Sequence, residues 1–400
     1  MTSVQLGLRA NARQFALLVA LNGVVGALVG LERSVVPLVG RDEFGVESRS
    51  AILAFIVAFG AAKALANLAS GGLADRHGRR RVLLAGWALA LPAALFVGVA
   101  PSWGAIVVAN VFLGASQGLA WSMTVLMKID LVGPERRGLA LGLNESAGYV
   151  GLALAAAASG ALAAAVAPRT VVWVGAAVLA AVGLLVSAAC VRETEVHVRL
   201  EPAVARAGGL TAAACSQAGF VNNLNDALAW GLVPLYLAAH GASAPEVGLV
   251  AGVYPAVWGV GQLATGALSD RFGRRGFVVW GLVAQGAALA LLLAGGGDVG
   301  IAVAAAVGLG AGTAFVYPTL LAAVSDAVRP ADRARAVGRY RFWRDSGLVI
   351  GALVAGVGAD AIGAGATIGL VAALTVAAGL RLLNESAIRV VPLERRPLGS

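Results

Sequence analysis

The sequence predicts an all-α polytopic membrane protein: twelve transmembrane helices in two pseudo-symmetric six-helix bundles. Three observations predict it. Of 400 residues, 59% are hydrophobic and only 13% charged, with a mean hydropathy of +0.84, whereas a soluble domain carries about a quarter charged residues. The apolar residues fall into runs near the roughly 20 residues that cross the hydrocarbon of a bilayer. One basic ten-residue pattern occurs twice, about half a chain apart, as an internal repeat would have it.

The first apolar run, about 15–38, follows Arg9 and Arg13 and has the outline of a signal peptide. It is too long for the apolar region of one and contains Glu32 and Arg33, so it reads as a retained first span. Runs at about 50–72, 82–100, 104–127, 138–165 and 170–191 complete a first set. Residues 192–209, with Arg192, Glu193, Glu195, Arg199, Glu201 and Arg206, are polar and read as a linker. A second set lies at about 211–238, 246–268, 277–296, 299–323, 336–358 and 362–384. The expected divisions are 1–191 and 210–384 for the bundles, 192–209 for a cytoplasmic linker and 385–400 for a cytoplasmic tail.

Loop charges orient the chain. Arg76, Arg79, Arg80, Arg81, Lys128, Arg136 and Arg137 lie on one side, as do Arg271, Arg274, Arg275, Arg329, Arg333 and Arg335; the other side holds little beyond Arg41, Arg49 and Arg169. The excess of positive charge predicts that both termini and the linker are cytoplasmic, in a cell membrane. The same distribution accounts for the net charge of +9 without nucleic acid.

The repeated pattern is Gly71-Gly72-Leu73-Ala74-Asp75-Arg76-His77-Gly78-Arg79-Arg80 and Gly266-Ala267-Leu268-Ser269-Asp270-Arg271-Phe272-Gly273-Arg274-Arg275. A second repeat, Pro134-Glu135-Arg136-Arg137 before Gly142 and Pro330-Ala331-Asp332-Arg333 before Gly338, precedes the fifth span of each half. Here the chain resembles the major facilitator superfamily, whose signature loop between the second and third helices of each half reads this way. The resemblance covers essentially the whole chain. It implies a carrier in which helices 1, 4, 7 and 10 line a central cavity and helices 2, 5, 8 and 11 flank it. Many proton-coupled drug exporters of the superfamily carry Arg in span 4, four residues before a Gly; here Asn110 stands before Gly114. The Gly-Pro pair of span 5 is replaced by Asn144-Glu145-Ser146-Ala147-Gly148, while Glu32-Arg33 is similar to the Asp-Arg of organic-anion and lysosphingolipid-type members.

Polar residues inside a bilayer are costly and therefore informative. They are sparse in spans 3, 6, 9 and 12, which read as scaffold, and crowd into the others. Stripes at helical spacing run through Asn22, Gly26, Gly30 and Arg33, through Asn110, Gly114, Gln117 and Trp121, and through Asn222, Asn225, Asp226 and Trp230. Arg33, Arg341 and Arg344 are candidates to clamp an anion; the alternative is internal pairing with Glu32 or Asp345. Lys63 either binds substrate or neutralises a carboxylate such as Glu145 or Glu32. Asn110, Gln117, Asn222 and Asn225 offer amides to substrate or to neighbouring helices. Trp121, Trp230, Tyr254, Trp258 and Tyr317 shape a pocket or pack helix contacts. Glu32, Glu145, Asp226 and Asp345 are proton-carrier candidates, because the charge of a carboxylate in a dry cavity responds to the cavity's opening.

Gly71, Asp75, Arg76, Gly78, Arg79 and Arg80, with Gly266, Asp270, Arg271, Gly273, Arg274 and Arg275, are expected to form a conformational latch. The Asp residues would accept hydrogen bonds from Arg or helix N-termini, and Gly71 and Gly266 would let helices close tightly. Fixed Gly and Asp positions exceed what a topogenic basic loop requires.

His77, His197 and His240 lie in loops or at span ends, Cys190 and Cys215 have no metal spacing, and no nucleophile–base pair is visible. An enzyme, a bound metal and a cofactor are therefore not expected, and no ATP-binding glycine loop suggests primary pumping. The expected function is a monomeric secondary transporter moving a small anionic or amphipathic organic solute by proton-coupled alternating access. A broad-pocket multidrug exporter is the alternative, and a channel a third.

Overall fold

The computed structural model describes residues 5–46, 49–163, 165–198, 210–242 and 244–384; the side chains of some helical residues, Arg33 among them, lie outside the description. So do most of the expected linker and the whole of 385–400.

Backbone polar groups in a bilayer find partners only within a helix or a closed barrel, and the apolar runs fold accordingly. The first half comprises α1 (Ala12–Asp42), α2 (Arg49–His77), α3 (Arg79–Val99), α4 (Trp103–Val132), α5 (Arg137–Leu162) and α6 (Pro168–Cys190). In the second half Ala212–Ala227, a π-helical turn at Leu228–Leu232 and Val233–Ala239 run on as one rod, α7. Then follow α8 (Ala244–Phe272), α9 (Arg274–Ala294), α10 (Val299–Asp326), α11 (Arg333–Ile362) and α12 (Ala364–Arg381). Ten of these helices are long and apolar enough to cross a membrane; α7 and α8 are not among the ten.

The two halves repeat one packing scheme. The pairs α1/α5, α2/α4, α3/α4 and α3/α6 recur as α7/α11, α8/α10, α9/α10 and α9/α12. Between halves, α2 packs on α11 and α5 on α8. Those seams close at the end that carries the basic turns, where Gly138 lies against the backbone of Gly266 and Gly71 against that of Ala334 and Arg335. A Cβ at Gly71 would come within 2.6 Å of the Arg335 Cα, so glycine is what permits the approach. Gly78 and Gly273 serve differently: their φ angles of 83° and 92° are open to glycine at no steric cost, and each breaks the chain sharply between two helices.

Two expectations change. Lys128 is not a loop charge: it is wholly buried in α4 and donates to the Asn144 side chain. Arg137 and Arg333 are likewise buried, in ion pairs. After α6, Glu193 accepts from the basic turn at the Arg79 amide, Thr194 donates to Asp130 of α4, and Glu195–Val198 form a short helical turn.

Candidate substrate and latch sites

The centre of the molecule is a charged seam between α2, α4 and α5 of the first half and α7, α8, α10 and α11 of the second. Lys63 lies 3.5 Å from Asp345, a carboxylate contributed by the opposite half. Asp345 also accepts from Asn67 at 2.7 Å and from Arg344 at 2.9 Å. Neighbouring helical side chains diverge by about 100°, yet the long Arg344 side chain bridges that gap. Arg344 then reaches Asp226 at 3.7 Å and stacks 3.9 Å from the Tyr317 ring centroid. Asp226 accepts from the Tyr254 hydroxyl, which also meets Thr313 at 3.3 Å.

Arg341 is placed differently. Its Nε donates to Asn67 at 3.3 Å and its guanidinium sits 6.0 Å from the Trp121 ring. It is 2% exposed, its Nη1 has no hydrogen-bond partner, and no carboxylate lies within ion-pair distance among the described residues. Trp121 Nε1 donates to Glu145 at 3.0 Å, and Asn144 donates to the same Glu145 oxygen at 2.8 Å. The other Glu145 oxygen is buried and without a partner, as is the Trp258 indole nitrogen. Tyr149, Trp258, Tyr254 and Tyr317 continue the wall, with Tyr149 and Trp258 rings 4.2 Å apart across the seam.

Other expected site residues lie elsewhere. Asn222 and Asn225 bond to Gln285, and Asn225 also to Thr375, tying α7 to α9 and α12. Gln117 donates to the Val25 carbonyl and Asn110 to that of Ile106. Glu32 and Asn110 share a small apolar cavity with Phe55 and Phe59, inside the first half, and one Glu32 oxygen there has no partner. Trp230 is half-buried against the core in the π-turn.

At the basic-turn end, two buried carboxylates each hold an arginine from both halves. Asp130 meets Arg79 at 3.2 Å and Arg333 at 3.5 Å; Asp326 meets Arg274 at 3.1 Å and Arg137 at 2.5 Å. Asp270 accepts from the Gly138 and Leu139 amides at the α5 N-terminus and pairs with Arg274 at 2.6 Å. Asp75 pairs instead with Arg335 at 3.0 Å, an arginine whose side chain is 68% exposed. Arg80 donates to the Ala188 carbonyl and Arg275 to that of Leu382, so each ties the turn to the end of its half's sixth helix. Arg76 and Arg271 are exposed, Arg271 lying over Phe272.

A sequence model of the Major Facilitator Superfamily matches residues 15–214 and, a second time, residues 215–398. The chain belongs to the Major Facilitator Superfamily. Superfamily members of known structure share its fold. The human organic anion transporter MFSD10 (TETRAN) is 18% identical, with 92% of this chain and 99% of that one aligned and a TM-score of 0.74. The proton:xylose symporter XylE, bound to 6-bromo-6-deoxy-D-glucose, is 13% identical over 93% and 96%, with a TM-score of 0.76. FucP in its outward conformation is 16% identical over 92% and 97%, with a TM-score of 0.73. No curated protein sequence matches.

The second superfamily repeat extends upstream of Pro134 and Pro330. Asp130 stands four residues before Pro134 and Asp326 four before Pro330. That spacing was visible and would have found both carboxylates. Tyr149 and Thr313 had no comparable signal, since their roles depend on which helices meet; Asn67 stood out with Lys63 and Ser70 as a polar residue of span 2. Among the described residues, no group of His, Cys, Asp and Glu is arranged to hold a metal.

Proposed function

We propose that the chain is a proton-coupled secondary transporter of a small anionic or amphipathic organic solute. It works by alternating access between bundles 1–191 and 210–384, joined by the 192–209 linker. In this reading α7 and α8 are spans as well, bringing the total to twelve, and the basic turns and both termini face the cytoplasm. Solved folds of this kind serve organic anions and sugars alike, so substrate class is argued from residues.

The observation that carries the reading is Arg341. A buried guanidinium with an unpartnered nitrogen and no carboxylate beside it is costly to leave so, and an anionic ligand would complete it. The ligand would lie between Arg341 and Lys63 with Trp121 as its floor, touching both halves and favouring their closure around it. Arg344 is already compensated by Asp345 and Asp226 and is a poorer anchor. For coupling, Asp345 and Asp226 are compensated in place by fixed cations, while Glu32 and Glu145 each keep one unpartnered oxygen. Those two glutamates are the proton-carrier pair in this reading.

The aromatic wall of Tyr149, Trp258, Tyr254 and Tyr317 favours the multidrug alternative, because flat apolar surface accepts many amphipathic shapes. One experiment separates the readings. Purified protein is screened by thermal shift against anionic, cationic and neutral solutes, and hits go to calorimetry. Arg341→Lys keeps the charge but loses the fork, and should weaken an anionic hit by about 1.5–3 kcal/mol. If only cations bind, or if Arg341→Lys binds the anion as wild type does, the anion reading falls and the exporter reading replaces it.

A further inference from the structure

A groove of about 680 Å³ runs along the seam of α7 and α11 at the basic-turn end, apart from the central site. Its floor is apolar, with Phe220 and Ala336; its α11 wall carries Arg335, Arg339 and Trp343 in succession, one turn apart. All three are exposed. Arg339 makes no hydrogen bond or ion pair among the described residues. The carboxylate on the wall, Asp332, is held by Arg329 at 2.8 Å and leaves the cationic character intact. Across the groove Gln217 is held by Arg381, which brings a further cation to the rim.

The order of these side chains along α11 matches the layers of a bilayer surface. Two exposed guanidinium groups come first, then an exposed indole about 6 Å further along the helix, then the exposed apolar side chains of Ile350 and Leu353, while Arg344 and Asp345 are turned inward and buried. Trp prefers the headgroup boundary, and juxtamembrane Arg draws anionic lipid. A groove with a cationic wall and an apolar floor, on the surface of a bundle of membrane-length helices, is complementary to a lipid.

We infer that the α7/α11 groove binds one anionic phospholipid, its phosphate between Arg335 and Arg339 and its glycerol and upper acyl chain over Trp343 and Phe220. Arg335 also holds Asp75 of the other half at 3.0 Å. A guanidinium has five donors, so one arginine can hold Asp75 and the phosphate together, and the lipid would brace the closed end. The inference rests on the membrane orientation proposed above but not on the substrate: lipid binding and solute binding are read by separate assays.

The test is native mass spectrometry of the full chain, delipidated in detergent and titrated with phosphatidylglycerol, phosphatidylcholine or inorganic phosphate. Phosphatidylglycerol should be retained roughly tenfold better than phosphatidylcholine, the scale of two basic groups at an anionic headgroup. Arg339→Glu should erase that preference, Trp343→Ala should weaken retention of the anionic lipid, and Arg339→Lys should largely keep both. Solute binding by calorimetry should be unchanged in Arg339→Glu, which also reports that it folds. Equal retention of the two lipids, full preference in both Arg339→Glu and Trp343→Ala, or displacement of the lipid by millimolar phosphate would overturn the inference.

Discussion

Arg341 and Arg344 sit three positions apart on α11 and meet opposite chemistry. Arg344 is enclosed by two carboxylates and a tyrosine face, whereas Arg341 meets an amide and an indole with no carboxylate within ion-pair distance among the described residues; each keeps one buried nitrogen without a hydrogen bond. The same distinction divides the acids. Glu145 is held on one oxygen only, by Trp121 and Asn144. Glutamine there keeps an acceptor for the indole but cannot change charge. Glu145→Gln is therefore expected to bind solute near wild-type affinity while its uptake loses pH dependence, and Glu32→Gln to lose part of it. Uptake into proteoliposomes across a series of external pH values measures both. An unchanged profile in the double variant would remove both glutamates from the coupling path. Of this site, the residue types and the halves they come from were legible in the sequence. Which acid faces which base was not, because periodicity gives a face on one helix and says nothing of the rotation of its partner. Lys63 is the clearest case: its pairing with Asp345 joins α2 to α11, elements far apart in the chain.

At the scale of elements, the basic turns hold through pairs of very different worth. Asp75 and Asp270 occupy the same place in the repeat, and the sequence treats them alike. Asp75 meets an exposed arginine, and such surface pairs contribute about 0.2–1 kcal/mol. Asp270 is nearer to buried, with two backbone amides at the positive end of α5 besides its arginine, an arrangement favoured by the helix dipole. Asp270→Asn should therefore slow transport more than Asp75→Asn, measured as uptake per folded molecule; equal effects would mean the two turns contribute alike. Deeper still, Asp130→Asn leaves Arg79 and Arg333 buried without a full carboxylate. Removing one side of a buried pair costs about 3–5 kcal/mol, so this variant should lose far more thermal stability than either turn variant. Glu193 adds a constraint from outside the turn: it accepts from the Arg79 and Arg80 amides and so caps α3.

For the whole molecule, the contacts that join the halves crowd at the basic-turn end, and the conformation is closed there. The repeat in the sequence foretold two like bundles, but not which end would be shut, since both packings of such a carrier are built from the same residues. What keeps this end shut can be probed at Gly138. A Cβ there would meet the Gly266 backbone and approach Arg274 Nη1 at 2.7 Å and Asp270 at 2.9 Å. Within one bundle α5 would tolerate the change, because the clash is with the other half alone. Overpacking of this kind costs about 1–3 kcal/mol. A tenfold change in population takes about 1.4 kcal/mol, so Gly138→Val should move the balance between closed and open by roughly one to two powers of ten. Arg76 and Arg271 are exposed and lie one in each turn, which makes them suitable label positions. Spin labels on Arg76→Cys and Arg271→Cys, with Cys190 and Cys215 replaced by Ser, report the separation by electron–electron resonance. Wild type should give mainly the shorter distance, and Gly138→Val should add or favour a longer one. A distance distribution unchanged by valine, in protein that still melts cooperatively, would mean that the α5/α8 seam does not hold this end closed and that the Asp130 and Asp326 pairs do so without it.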